Sequence, residues 1–385
     1  MKIVSFIKKE NLKSWLEKIS KVSTIYLPIH DKKKDIIDFL SWTDFIEKKK
    51  ASKDDNDERY EINLIEKTKK SPKYIFFPPT EKLFEFEYKK DIDDPELVNI
   101  DLKTSFNDVI NIYIGDNNKK NKVDKKIIFA IRPCDLSALK KVDIFFGEGD
   151  IKDPYYLKRR KNTIFISLGC NEPYLNCFCT AVEGNPFNFE YADMGMIKIE
   201  DGFAILKLDN KVKFLIEENK ELFENKNLEN KYREKIDIIM TKAVEKIINY
   251  WSGVTIDDIH SNIEKNFNLD MWKTISKKCI SCAACTYVCP SCYCFNIRDE
   301  QKDLKGERYR CWDYCMNYYY NLEASGHNPR SEIYKRYRNK VNCKYNYNYK
   351  RSGQFFCVGC GRCIDICPVG MDIRESVDKI CRAKF

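Results

Sequence analysis

Two stretches of the chain repeat one cysteine spacing. "CISCAACTYVCP" carries Cys279, Cys282, Cys285 and Cys289, and "CVGCGRCIDICP" carries Cys357, Cys360, Cys363 and Cys367. Both read C-x2-C-x2-C-x3-C-P. Three thiolates at this spacing wrap one four-iron cube, and the fourth, just before the proline, reaches a second cube. The spacing therefore predicts one [4Fe-4S] cluster on Cys279, Cys282, Cys285 and Cys367 and another on Cys357, Cys360, Cys363 and Cys289. The small residues Ala283, Ala284, Gly359 and Gly361 let the backbone approach and donate N–H bonds to sulfur, and each fourth cysteine is expected at the start of a helix. Zinc ribbons use C-x2-C pairs without the third cysteine and the terminal C-P, so zinc is the weaker reading.

The chain has 385 residues, 18 of them cysteine. A disulfide scaffold would be small and exported. No apolar run approaches the roughly 18 residues that span a bilayer, and the opening "MKIVSFIKKENLKSW" breaks its short apolar run at Lys8 and Lys9, unlike a secretory signal. These features predict a cytoplasmic protein without a membrane span. The formal charge of +9 would suit nucleic acid, but each oxidised four-thiolate cube carries about −2. Three of them bring the total to about +3, so nucleic-acid binding is not expected.

The cysteines also divide the chain. None precedes Cys134, four fall between 134 and 179, and fourteen follow from Cys279. This predicts an α/β N-terminal domain over 1–240 and an α-helical, bacterial-ferredoxin-like dicluster domain over 241–385, with a long insertion at 290–356. "TIYLPI" (24–29), "YIFFPP" (74–79), "INIYIG" (110–115), "IIFAI" (127–131) and "TIFISL" (163–168) read as strands. "DIIDFLSWTDFIEKKK" (35–50) reads as an amphipathic helix, and residues 225–251 as a helix bridging the domains. Thr255 reads as an N-cap with Asp257 and Asp258 in the first turn. The charged runs 48–59 and 115–126 read as solvated loops.

Cys134 and Cys170 each follow an apolar strand, and Cys177 and Cys179 come shortly after. Two parallel strands would deliver both loops to one carboxyl edge of a sheet, where such folds bind ligands. The set supplies four thiolates for a third [4Fe-4S] cluster. The alternative is a group of buried free thiols. Asp135 reads as a supporting group or an alternative ligand, and Arg132 as a balance for cluster charge. Of the remaining cysteines, Cys292, Cys294 and Cys315 are candidates for a further site, Cys311 has no assigned role, and Cys343 and Cys381 read as ordinary thiols. His327 reads as structural. Arg330, Arg336, Arg338 and Arg351 read either as a docking surface or as a cover over the clusters.

The sequence resembles the iron–sulfur beta subunits of cytoplasmic sulfhydrogenases and the A subunits of anaerobic sulfite reductases. The resemblance rests on "RPCDLSAL", "GCNEPYLNCFCTAVEGNP", "CISCAACTYVCPSCYCFNIRDE", "CWDYCMNYYYNLEASGHNPR" and "CVGCGRCIDICPVGMDIRE", with Ser291 where the family usually has threonine. It implies an electron conduit between a partner subunit that carries FAD and binds NAD(P)H, and a catalytic metal subunit of hydrogenase or sulfite reductase type. No G-x-G-x-x-G or P-loop is present, so no catalytic or nucleotide-binding residue is expected on this chain. Two other readings remain: a reductase of small sulfur compounds acting at the N-terminal cysteines, and a scaffold braced by its clusters.

Overall fold

The computed structural model describes residues 2–51, 59–90, 98–103, 125–247, 250–251 and 253–383. Four strands, β2 (Thr24–Asp31), β7 (Lys126–Ile131), β8 (Thr163–Leu168) and β9 (Met194–Ile199), run parallel at the centre of a large sheet. Its order is β11-β1-β10-β9-β8-β7-β2-β3. The flanks are β10 (Gly202–Leu208), β1 (Ser5–Lys8), β11 (Phe223–Glu224) and β3 (Ile36–Ser41), all antiparallel to their neighbours; β4 (Tyr60–Ile62) also pairs with β2.

The central strands are apolar along most of their length because both faces are covered. Ile127 and Phe129 of β7 face one core with Leu12, Trp15, Leu16 and Ile19 of the helix Lys9–Ser20. Ile128 and Ile131 face the other, with Leu136, Leu139 and Val142 of the helix Pro133–Gly147 and with Tyr232 and Ile236 of Leu228–Glu245. Near its carboxyl end β7 bulges: Ala130 has φ +60° and the register with β8 shifts there. Such a bulge re-aims the chain that follows, here the segment that carries Cys134.

A second, antiparallel sheet has the order β12-β13-β5-β6. It joins β5 (Thr80–Lys90) and β6 (Val98–Lys103) to the hairpin β12 (Phe295–Lys302) and β13 (Lys305–Trp312), which lies between the two cysteine motifs. The rest of the C-terminal region holds the helices Ile256–Lys265, Met271–Ser276, Ile333–Asn342 and Ile373–Cys381. Their core includes Trp272, Tyr337, Val341, Tyr345 and Val377. No helix among the described residues is long and apolar enough to cross a membrane.

The strands expected at 24–29, 127–131 and 163–168 are present, and the helix expected within 225–251 spans Leu228–Glu245. Two expectations are corrected. Residues 36–41 form β3, not the start of a helix, which begins only at Trp42. Ile37, Phe39 and Ser41 are buried on one face of the strand, the period of two that a half-buried strand requires. "YIFFPP" supplies most of the single helical turn Lys73–Phe76; Pro78 and Pro79 have no N–H to give a ladder, and strand β5 begins only at Thr80. "INIYIG" and most of both charged runs lie outside the described residues.

Thr255 is the N-cap of Ile256–Lys265, and with Asp258 it completes a capping box. Thr255→Ala should cost about 1 kcal/mol, read as a lowered midpoint in anaerobic denaturant unfolding, whereas Asp257→Ala, outside the box, should cost less.

Candidate metal centres

The two motifs fold into the same loop. Ser281 and Ala283 have φ of +55° and +60°, and at the matching positions Gly359 and Gly361 have +63° and +73°. Left-handed residues turn successive N–H groups inward, forming a concavity that suits anions. Glycine does so freely, whereas Ser281 and Ala283 cost about 1–2 kcal/mol each. Such strain persists only where the surroundings enforce it. Each loop then makes one helical turn, Ala284–Tyr287 or Arg362–Asp365, and the two turns pack together. Cys285 and Cys363 lie in these turns. Cys289 and Cys367 follow them instead of starting a helix, which corrects the expectation. Pro290 and Pro368 explain it, because a residue before proline is pushed out of the helical region.

Each fourth cysteine lies near a thiol of the other motif. The Cys279 thiol is pushed up by burial, with Cys285 and Cys367 as its nearest thiol neighbours. The Cys363 thiol is pushed up by burial, and Cys360, Cys357 and Cys289 add to the effect. Backbone N–H groups point at sulfur, from Ser281 to Cys279 at 3.4 Å and from Met371 to Cys367 at 3.2 Å. Cys282 is exposed at its loop. Among the described residues no three His, Cys, Asp or Glu side chains converge tightly enough to hold a single metal ion. The body of a cube holds its four thiolates farther apart than one ion does.

The charges around the motifs fit such a group. Lys73, Lys340 and Lys344 are all buried, where lysine is almost never found unpaired. The Lys73 ammonium donates to the Cys289 and Cys292 carbonyls at 3.2 and 2.7 Å and lies 4.0 Å from the Trp312 ring centroid; burial pushes its pKa down to about 8. The Lys344 ammonium donates to Ser291 O at 3.1 Å and Oγ at 2.9 Å, so the serine hydroxyl keeps a polar role at that position. Burial opposes the charge on Lys340, but Cys285 and Cys363 outweigh it and its pKa ends well above the usual lysine value. Cluster charge would be a stronger counterweight than the thiols, carbonyls, Ser291 hydroxyl and Trp312 ring beside these lysines.

The N-terminal cysteines sit against the second motif. β7 and β8 are parallel neighbours, so the segments carrying Cys134 and Cys170 leave the same sheet edge. Cys134 is in the first turn of Pro133–Gly147, where the helix dipole favours a thiolate, although burial pushes its pKa well up. Cys170 and Cys179 are likewise raised by burial, and both have Cys177 as a close neighbour. Phe178 N donates to Gly359 O at 2.8 Å, and the Cys177 sulfur lies 3.8 Å from Cys360 O. A Cβ on Gly359 would meet the Cys179 backbone at 2.5 Å, so the two loops touch at glycine distance. Lys67, missed from sequence, reaches Cys360 O at 2.6 Å, Asp365 at 3.2 Å and the Cys177 sulfur at 3.9 Å.

Arg362 forms a bidentate pair with Asp135 at 2.7 and 2.8 Å, both side chains 1% exposed. Asp135 is thereby committed to Arg362 and is a supporting group, not an alternative ligand. Arg132 approaches Cys170 and donates to the carbonyls of Gly169, Leu64, Ile65 and Glu66. The docking reading fails for Arg336, which is buried and donates to Arg330 O, Ser331 O and Ser281 Oγ; it clamps the insertion onto the first motif. Arg338 lies 3.9 Å from the Phe267 ring centroid, and Arg330 donates to Asn321. Arg351 is exposed, and so is His327, in a turn.

Paired motifs of this geometry define an iron–sulfur protein of the two-cluster type, and residues 278–371 match the 4Fe-4S dicluster domain family. The chain is 30% identical over 272 residues to sulfhydrogenase 2 subunit beta of Pyrococcus furiosus, covering 68% of this chain and 77% of that one. It belongs to the family of sulfhydrogenase beta subunits. No solved structure matches it.

Replacing Lys340 by Met keeps the volume and removes a buried charge beside Cys285 and Cys363. A midpoint potential of the dicluster should fall by roughly 100 mV, the one-electron equivalent of about 2 kcal/mol of Coulomb attraction at an effective dielectric near 20. The check is a redox titration followed by electron paramagnetic resonance; unchanged potentials would mean that Lys340 does not sense the clusters.

Proposed function

We propose that this chain is the electron-transfer subunit of a multi-subunit cytoplasmic oxidoreductase. It relays electrons between a partner that carries FAD and binds NAD(P)H and a catalytic partner of hydrogenase or sulfite reductase type. The observation that carries the reading is the direct contact of the N-terminal cysteine loop with the second motif through Phe178 and Gly359. Three sets of thiols then lie in one continuous series: Cys134, Cys170, Cys177 and Cys179; Cys357, Cys360, Cys363 and Cys289; and Cys279, Cys282, Cys285 and Cys367.

A four-iron cluster bound at each set supplies a one-electron site. The protein's own part is electrostatic and steric. Lys67 and Arg362 place positive charge between the N-terminal set and the second motif, and Lys340 does so between the motifs. Trp251, Tyr337, Tyr345 and Phe355 exclude water around the inner thiols, while exposed Cys282 leaves the end of the series open to a partner. The long apolar faces of 1–240 and the short helices of 241–385 serve to hold these positions.

Cys177→Ser should remove about four iron and four sulfide per chain and leave the paired-cluster signal intact. Unchanged iron in a folded variant would make these four cysteines ordinary buried thiols. In anaerobic stopped-flow mixing, NADH or NADPH should not bleach the clusters of the chain alone. Bleaching should be rapid once the flavoprotein partner is added. Rapid bleaching without the flavoprotein would sink the relay and point to a nucleotide site in the first 240 residues.

A further inference from the structure

The insertion contains a second convergence of cysteines that the relay does not use. The hairpin β12–β13 leaves the dicluster region directly after Cys294 and returns directly before Asp313, whose N–H donates to Cys294 O at 3.0 Å. That bond closes the hairpin base and sets Cys315 beside Cys294. Cys343 arrives from a third direction, at the start of the π-helical turn Cys343–Tyr347. Tyr293, between Cys292 and Cys294, is tied to that turn: its hydroxyl donates to Asn348 Oδ1 at 3.0 Å.

The surroundings are those of a sulfur-ligated group. Cys315 is 7% exposed, in a core with Met316, Tyr337 and Val341. Two side-chain donors point at sulfur, Tyr320 Oη at Cys294 (3.7 Å) and Asn348 Nδ2 at Cys343 (3.4 Å). Hydrogen bonds to sulfur are one of the levers by which a protein tunes an iron–sulfur cluster. Burial raises the Cys315 thiol, and its next strongest influences are Cys294 and Cys343; Cys343 is itself raised by burial and has Cys294 as a neighbour. Buried Lys344 acts electrostatically on Cys292 and Cys343 of the same group. None of these cysteines is in a disulfide. Cys311, by contrast, stands farther up the hairpin opposite Asn296.

We propose that Cys292, Cys294, Cys315 and Cys343 hold a further iron–sulfur cluster, built by the insertion and bordering the first motif. Cys343, which reads from sequence as an ordinary thiol, completes the set. Cys292 now hydrogen-bonds to Cys289, so the proposal requires its side chain to turn to the new site. Because Cys315 neighbours Cys285, and Cys343 neighbours Cys289, the site is a branch off the dicluster and not an extension beyond the N-terminal set.

The test is anaerobic iron and sulfide analysis with Mössbauer spectroscopy on the full-length chain and on Cys315→Ser and Cys343→Ser. Each variant should lose about four iron relative to the parent while keeping the coupled dicluster signal. Combined with Cys177→Ser, either change should remove about four more, which separates this site from the N-terminal one. Cys294→Ser, at the hairpin base, provides the same readout if the two more buried changes prevent folding. Cys381→Ser is the control and should lose none. Parent-level iron in folded Cys315→Ser and Cys343→Ser, or in folded Cys294→Ser, would overturn the proposal.

Discussion

Arg362 and Asp135 meet through two hydrogen bonds in a place water does not reach. The arginine comes from the second cysteine motif and the aspartate from the helix that begins beside Cys134. Desolvating two such charges costs several kcal/mol each, and only good geometry returns it. The geometry is good: the guanidinium is bidentate, and its remaining N–H groups reach Thr68. Losing one partner alone would strand the other, at about 3–5 kcal/mol. The contacts of Phe178 with Gly359 and of Cys177 with Cys360 involve the same motif that carries Arg362. What the pair provides is alignment, since it fixes which face of the second motif meets the N-terminal cysteines.

Around that junction, burial acts in opposite senses on thiols and lysines. It raises Cys134, Cys170, Cys179, Cys279, Cys357, Cys360 and Cys363, whereas a hydrogen bond with Cys292 holds Cys289 well below the usual thiol value. It disfavours the charge on Lys73, Lys340 and Lys344. Lys73 is lowered to about 8 as a result, whereas the cysteines around Lys340 and Lys344 outweigh burial and raise both. Metal binding that deprotonates the raised thiols would add counter-charge beside these lysines, which would link cluster acquisition to folding free energy.

The dicluster motifs were legible because ligand spacing is a local property. Their loop handedness was half legible: Gly359 and Gly361 announce left-handed backbone, whereas Ser281 and Ala283 do not. The parallel pair β7 and β8 could be read from two apolar runs, and so could the shared edge for Cys134 and Cys170. Residues 36–41 were misread because the alternating apolar run flows straight into a real helix at Trp42, with no proline or glycine between them. Lys67, Lys73 and Lys344 could not be found from sequence. Lysine is the most common residue type to call solvated, and only tertiary packing buries these. For Arg336, too, only tertiary packing separates the two readings, docking surface and cover over the clusters, in favour of the second. Cys343 has no partner nearby in sequence; the base of a hairpin some thirty residues away gives it one.

That hairpin has one more consequence. β5 pairs with β13, so a strand begun near residue 80 waits for a neighbour ending at residue 312. On the ribosome the edge of β5 stays open while more than half of the chain is still to be made. Open edges template wrong pairings, and contacts of such sequence separation form slowly. The charges on the open strands, Lys82, Glu85 and Glu87, are the kind that discourage edge-to-edge association. The second motif is synthesised later still, so a pair of clusters with the proposed crossed ligands could be completed only once the chain is nearly whole. Biogenesis of this protein is thus paced by its topology, with metal delivery a late event.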